Sequence, residues 1–156
     1  MDLFKTDRMP QVGAAMTPFP FFVEPTDTAD TIERMMDQYG IRHMPVQEDG
    51  EVIGLVSERD LHRLVNRALP QVDKAKVCAA DIMVVSPYVV EIHAPLADVV
   101  SEMARRRIGS ALVAKKGKLA GILSVTDVCT VLALMLRKEF GLGTGTGGGG
   151  GDDDVA

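Results

Sequence analysis

The residues best suited to chemistry occur twice, at a constant offset of 67. Gly54-Leu55-Val56-Ser57-Glu58-Arg59-Asp60 corresponds to Gly121-Ile122-Leu123-Ser124-Val125-Thr126-Asp127. Each run is an apolar strand end followed by Ser-x-x-Asp, and two kinds of chemistry suit that pattern. In the structural one, Ser caps a helix and the acid three residues later returns a bond to the cap backbone. In the functional one, the same turn presents free N–H groups and a partial positive charge to a phosphate, while the carboxylate accepts bonds from both hydroxyls of a ribose. The glycine before each strand end would let a flat base or sugar approach the backbone. One copy alone favours the cap. Two copies at equivalent places favour a nucleoside-type cleft.

The elements that must position these turns repeat as well. Residues 16–69 recur as 83–136 without insertion or deletion, so that Met16 falls on Met83, Pro20 on Pro87, Met36 on Met103 and Gly50 on Gly117. Two copies are too few for a solenoid but suit a pseudo-twofold pair with two related clefts between buried faces. In the first copy a strand is expected at 21–23, between Pro20 and Pro25. Cap residues at 27–30 lead into helical spacing of Ile32, Met35, Met36 and Tyr39, which Gly40 ends. Strands at 44–46 and 52–56 flank a turn at Asp49-Gly50, and a second helix carries Leu61, Leu64 and Val65. The second copy repeats this with a strand at 88–91, a helix over 96–107, strands at 111–114 and 119–123, and a helix from Val125. Each unit reads β-α-β-β-α. The predicted organisation is a lead-in (1–15), repeat 1 (16–69), a connector (70–82) with a short helix near its end, repeat 2 (83–138) and a Gly-rich acidic tail (139–156). That tail is expected to be disordered, because glycine buries too little apolar surface to offset its ordering entropy.

Composition narrows the function classes. The net charge is −5, and it is −2 without Asp152, Asp153 and Asp154, so no basic bias marks a nucleic-acid binder. Cys78 and Cys129 show no metal-ligand or disulfide spacing and read as free buried thiols. The longest apolar run, 128–136, is too short for a membrane span, and the N-terminus has no signal-peptide stretch, so a cytoplasmic location without a membrane partner is expected. No nucleophile–base pair, paired carboxylates or metal cluster supports catalysis, so the chain reads as a non-enzyme with no required cofactor.

With these motifs, residues 15–138 resemble a tandem pair of cystathionine β-synthase (CBS) domains, the arrangement called a Bateman module. The resemblance rests on the β-α-β-β-α unit, the run Ile41-Arg42-His43-Met44-Pro45-Val46, the Asp49-Gly50 turn and the two Gly-x-x-Ser-x-x-Asp strand ends. It implies an α+β fold of two repeats packed sheet to sheet with pseudo-twofold symmetry. It also implies clefts for an adenosine-containing regulatory ligand: AMP, ADP, ATP, S-adenosylmethionine or NAD. By the resemblance, Asp60 and Asp127 hold ribose hydroxyls, and Ser57 and Ser124 line the ribose or phosphate side. Thr17 and Pro18 border the base in one copy, Val84 and Val85 in the other, and Arg42 and His43 face phosphates. Arg59 and Thr126 stand at the cleft mouths.

The copies also differ. Gly109-Ser110 replaces Arg42-His43, and Val84 replaces Thr17, which implies that one cleft binds a phosphorylated ligand while the other is weak or empty. Both strand ends carry Ser where the family often has Thr. The last helix is apolar over more than one stripe (Val128, Val131, Leu132, Leu134, Met135, Leu136), pointing to a homodimer face. Met35, Met36, Met44, Met83, Met103 and Met135 read as adaptable core packing. The expected role is regulation of an unidentified partner protein. The competing reading is an assembly scaffold in which both Ser-x-x-Asp sets are caps only.

Overall fold

The two halves exchange their opening segments. A computed structural model describes residues 8–18, 20–67 and 73–141. The glycine tail beyond 141 and residues 68–72 lie outside them, so the expectations for the tail and for most of the connector's start do too. In chain order the elements are a 3₁₀ turn Val12–Ala14, β1 Thr17–Pro18, α1 Ala29–Tyr39, β2 His43–Glu48, β3 Glu51–Ser57 and α2 Glu58–Arg67. Then follow α3 Ala79–Ile82, β4 Val84–Val85, β5 Val89–Glu91, α4 Leu96–Arg106, β6 Ser110–Lys115, β7 Lys118–Ser124 and α5 Val125–Glu139. One sheet has the order β1-β7-β6-β5 and the other β2-β3-β4. Thus β1 joins the second half's sheet, where Thr17 lies opposite Ile122, and β4 joins the first half's sheet, where Val84 lies opposite Leu55.

Hydrogen bonds just upstream of each lead strand repeat the exchange. Val12 N donates to Ala94 O and Gly13 N to Ile92 O, while Ala79 N donates to Asp27 O and Ala80 N to Pro25 O. Every atom in the second pair sits 67 residues from, and across the molecule to, its counterpart in the first. Residues 10–15, just before Met16, are therefore structural: Val12 is fully buried in the second half's core beside Val99, Met103 and Leu123. Its equivalent Ala79 is buried in the first half's core with Ile32, Met44 and Val56. A buried Val contributes on the order of 1.5–3 kcal/mol toward docking the segment that precedes β1.

Local rules account for the rest. Thr31 N donates to the Thr28 hydroxyl at the start of α1, and Gly40 ends the helix at φ 63°. The β2–β3 and β6–β7 hairpins turn on Asp49-Gly50 (φ 51° and 80°) and Lys116-Gly117 (φ 51° and 76°). Positive φ at both central residues gives the turn whose twist matches paired strands.

The strand expected at 21–23 does not form. Val23 makes a single parallel bridge to Val46, where the second half has the full strand β5 beside β6. Two prolines explain the loss. Leu112 N donates to Tyr88 O and Ile92 N to Ala114 O in the second half. The equivalent donors would be Pro45 and Pro25, which have no N–H. Phe21 instead stacks on Tyr39 with ring centroids 3.8 Å apart. At the matching positions the Arg106 guanidinium lies 4.4 Å from the centre of the Tyr88 ring.

Other expectations shift at the surface. Met135 is half exposed rather than core and Cys129 is exposed rather than buried, because α5 buries Val131 and leaves these faces outward; Cys78 is half-buried. No helix among the described residues is long and apolar enough to cross a membrane.

Candidate functional site

Both Ser-x-x-Asp turns are complete capping boxes, and the capping uses only one oxygen of each acid. Asp60 Oδ2 accepts from Ser57 N at 2.7 Å and from Ser57 Oγ at 2.8 Å, while Asp60 N donates back to Ser57 Oγ at 3.3 Å. Asp127 repeats the pattern with Ser124 at 2.7, 2.8 and 3.2 Å. The structural chemistry is therefore present in full, and it holds each carboxylate in one rotamer at a helix N-terminus. The second oxygens differ. Asp127 Oδ1 accepts from Thr17 Oγ1 at 3.2 Å, a bond between the two halves. Asp60 Oδ1 has the Arg63 guanidinium at 3.9 Å, and the residue equivalent to Thr17 is Val84, which cannot donate.

The exchange of leads decides which residues meet. Thr17 and Pro18 lie beside Gly121 and Asp127, not beside Asp60. Val84 and Val85 lie beside Gly54, along the strand that ends at Ser57. The glycines also have a reason other than ligand approach. A Cβ on Gly54 would overlap Met83 Sδ, and one on Gly121 would overlap Met16 Sδ and stand 2.9 Å from Thr17 O. Methionines from the opposite lead fill the space in which a base was expected to approach.

Arg42 and His43 gather at the Asp60 turn. His43 pairs with Ser57 across β2–β3, and Arg42 O accepts from Glu58 N while Arg42 Nε lies 3.6 Å from Glu58 Oε2. That ion pair is largely exposed, a type that contributes about 0–1 kcal/mol, so Arg42 can leave it at small cost. Burial pushes the His43 imidazole below its ordinary range, with Asp60 opposing and Arg42 and Arg59 reinforcing the shift. Its ring also reaches across the molecular seam: a Cβ on Gly109 would lie 2.9 Å from His43 Nε2. His43 thus touches both the Asp60 turn and the second half. Arg59 and Thr126 are exposed one residue before each acid.

Sequence reasoning missed Ser110. It pairs with Ser124 across β6–β7, is 4% exposed, and its hydroxyl has no hydrogen-bond partner among the described residues. The signal was its equivalence to His43. A separate cavity of ≈ 270 Å³ between α1 and α2 is lined by Met36, Ile41 and Leu61 with Glu33, Asp37 and Glu58; it includes Arg42 but neither Ser57 nor Asp60. Arg105 and Arg106 both bond Glu102 and hold its carboxyl at about 2, so they are engaged on their own helix. No group of three or more His, Cys, Asp or Glu side chains among the described residues could hold a metal ion.

Two capped acids in a pair of repeats that exchange their lead strands fit one family, and the chain belongs to it: the CBS domain family, whose model matches residues 12–67 and 79–134. Inosine-5′-monophosphate dehydrogenase of Staphylococcus aureus is 23% identical over 116 residues, which are 72% of this chain and 22% of that enzyme. The chain thus spans about a fifth of the curated relatives it matches. Among solved structures, one described as an acetoin utilization protein (AcuB) from Vibrio cholerae aligns with TM-score 0.73 and 25% identity, covering 85% of this chain and 98% of that one. CBSX2 in complex with AMP aligns at TM-score 0.67 and 24% identity, covering 81% and 98%. A CBS domain pair holding 5′-methylthioadenosine and S-adenosyl-L-methionine aligns at 0.70 and 14%, covering 82% and 99%. At those identities, the last two speak for the fold alone.

Proposed function

We propose that this CBS pair is a regulatory module that binds an adenosine-containing ligand and passes its occupancy to a partner protein. The supporting observation is the division of labour within each acid. Oδ2 is committed to the cap, while Oδ1 lies outside it and can accept a ribose hydroxyl: at Asp127 it already accepts from Thr17 on the opposite lead strand, and at Asp60 it lies 3.9 Å from Arg63. In this reading Asp60 and Asp127 accept the ribose hydroxyls. Ser57 and Ser124 present the turn, Val84-Val85 and Thr17-Pro18 border the base, Arg59 and Thr126 stand at the mouths, and Arg42 and His43 meet phosphate. The complexes of related pairs with AMP and with S-adenosyl-L-methionine support this ligand class. No catalytic step is assigned to it.

Transmission follows from the exchanged leads. Each cleft contains elements of both halves, so a ligand that fits one packing angle better than another shifts the population toward it. Leu132, Leu134, Met135 and Leu136 of α5 are 39–51% exposed and offer a face for a second copy, so the acting unit is a homodimer. We place it in the cytoplasm.

A thermal-shift series with AMP, ATP, S-adenosylmethionine and NAD tests the reading. A ligand at about a hundred times its dissociation constant adds about 2.7 kcal/mol. No shift with any of them at millimolar concentration would leave the scaffold, with both acids serving as caps only.

A further inference from the structure

The ionisable side chains around the Asp60 turn have no counterparts around the Asp127 turn. Arg42, His43, Glu58, Arg59, His62 and Arg63 stand where the second half has Gly109, Ser110, Val125, Thr126, Cys129 and Thr130. On the first side these groups act on one another: His43 feels Asp60, Arg42, Arg59 and Glu58, and Arg63 lies 3.9 Å from Asp60. Three guanidinium groups against two carboxylates leave an excess of positive charge around an imidazole whose burial disfavours its charged form. That is a field for phosphate, and Arg matches its geometry.

On the second side every equivalent position is uncharged, and Asp127 stands without the cations that surround Asp60. A phosphate brought there would lose its hydration beside a carboxylate with no cation from those positions to compensate. The polar groups present instead are hydroxyls. Thr17 donates to Asp127 Oδ1 at 3.2 Å. Ser110 is buried to 4% exposure with an unpartnered hydroxyl. Directly opposed residues on antiparallel strands share a face, so the Ser110 and Ser124 side chains stand on the same side of the sheet, at the start of α5. A buried hydroxyl without a partner is uncommon, and a polar atom of a bound ligand would satisfy it.

We propose that the two clefts take different ligand classes: a 5′-phosphorylated nucleoside at Asp60, and a nucleoside carrying no phosphate, such as a 5′-thioether, at Asp127. The division rests on the nucleoside reading above and goes beyond it by assigning each cleft its chemistry. The module then reports on two ligands at once rather than on two copies of one.

Isothermal titration of the full chain with AMP and with 5′-methylthioadenosine tests it. Wild type binds one of each, and prior saturation with one leaves the other's site open. Asp60→Asn, or Arg42→Gly with His43→Ser, weakens AMP about tenfold or more, the usual scale for losing a charged contact, and leaves 5′-methylthioadenosine within about twofold. Asp127→Asn does the reverse. Ser110→Ala, which only removes the unpartnered hydroxyl, weakens 5′-methylthioadenosine and not AMP, and it guards against a variant that merely misfolds. Competition of the two probes for a single site, or loss of AMP binding in Asp127→Asn, would overturn the division while leaving the nucleoside reading intact. If wild type binds neither probe, the nucleoside reading fails with it.

Discussion

Gly121→Ala tests the exchange of lead strands directly. The added Cβ would overlap Met16 Sδ, and would stand 2.9 Å from both Met16 Cγ and Thr17 O. The methionine can swing away, but the backbone carbonyl belongs to β1 and cannot move without disturbing its pairing with β7. At Gly54 the close atoms all belong to the Met83 side chain, with Cγ at 2.8 Å and Cβ at 3.1 Å. Overpacking a filled site costs about 1–3 kcal/mol, so Gly54→Ala belongs near the lower end and Gly121→Ala near the upper. At about 2–4 °C per kcal/mol for a chain of this size, Gly121→Ala melts about 4–12 °C below wild type. Urea unfolding supplies the free energies for a double-mutant cycle. Gly121→Ala should couple to Met16→Ala by about 1 kcal/mol, within the range seen for touching residues, and should be closer to additive with Met83→Ala. Stronger coupling of position 121 to Met83 than to Met16 would mean that each lead packs on its own half, and the crossed arrangement would be refuted.

Further outcomes follow from single residues. Because burial lowers the His43 pKa in the folded state, the unfolded chain takes up that proton first as pH falls below about 6.5. This contribution to stability is full above the unfolded pKa and is lost as pH falls toward the folded one. His43→Gln should therefore flatten the dependence of the urea midpoint on pH between 5 and 7, and an unchanged slope would sink the assignment. Arg107 ends α4 at φ 55°, where α1 has Gly40. Arg107→Gly relieves that left-handed strain and should stabilise by about 0.5–1 kcal/mol in denaturant melts. Leu132→Glu with Leu136→Glu, on the exposed face of α5, should convert the proposed homodimer to monomer in sedimentation velocity without lowering the melting midpoint of each chain's core. A wild-type chain that already sediments as a monomer would remove that face from consideration.

The helices and hairpins were legible because their signals are local. Ile32 and Met36 face one way at helical spacing and are buried, Asp49-Gly50 and Lys116-Gly117 form the turns, and the offset of 67 carries each element into its copy. The candidate site was legible as a set of residue types. Its assembly was not. The missing strand at 21–23 depends on donors absent at Pro25 and Pro45, one of them on a different strand, so the composition of 21–23 alone could not reveal it. By type alone, Gly54 and Gly121 read as room for a flat base or sugar to approach the backbone, because glycine carries no side chain there. The methionines that fill this room lie 29 residues downstream of Gly54 and 105 upstream of Gly121.

What the chain's order of residues determined by itself was the duplication, the caps at Ser57 and Ser124, and the difference in charge between the copies, since all three are comparisons of one stretch with another. Only the tertiary structure decided that Thr17 belongs with Asp127 and that Val84 pairs with Leu55 on the first half's sheet, that His43 reaches Gly109 across the seam, and that Ser110 is buried without a partner among the described residues. The physical reason is symmetry. Two identical patterns can pair with themselves or with each other, and periodicity is the same in both cases. The choice is made by the buried contacts of Val12 and Ala79 in the opposite cores, which no local pattern contains.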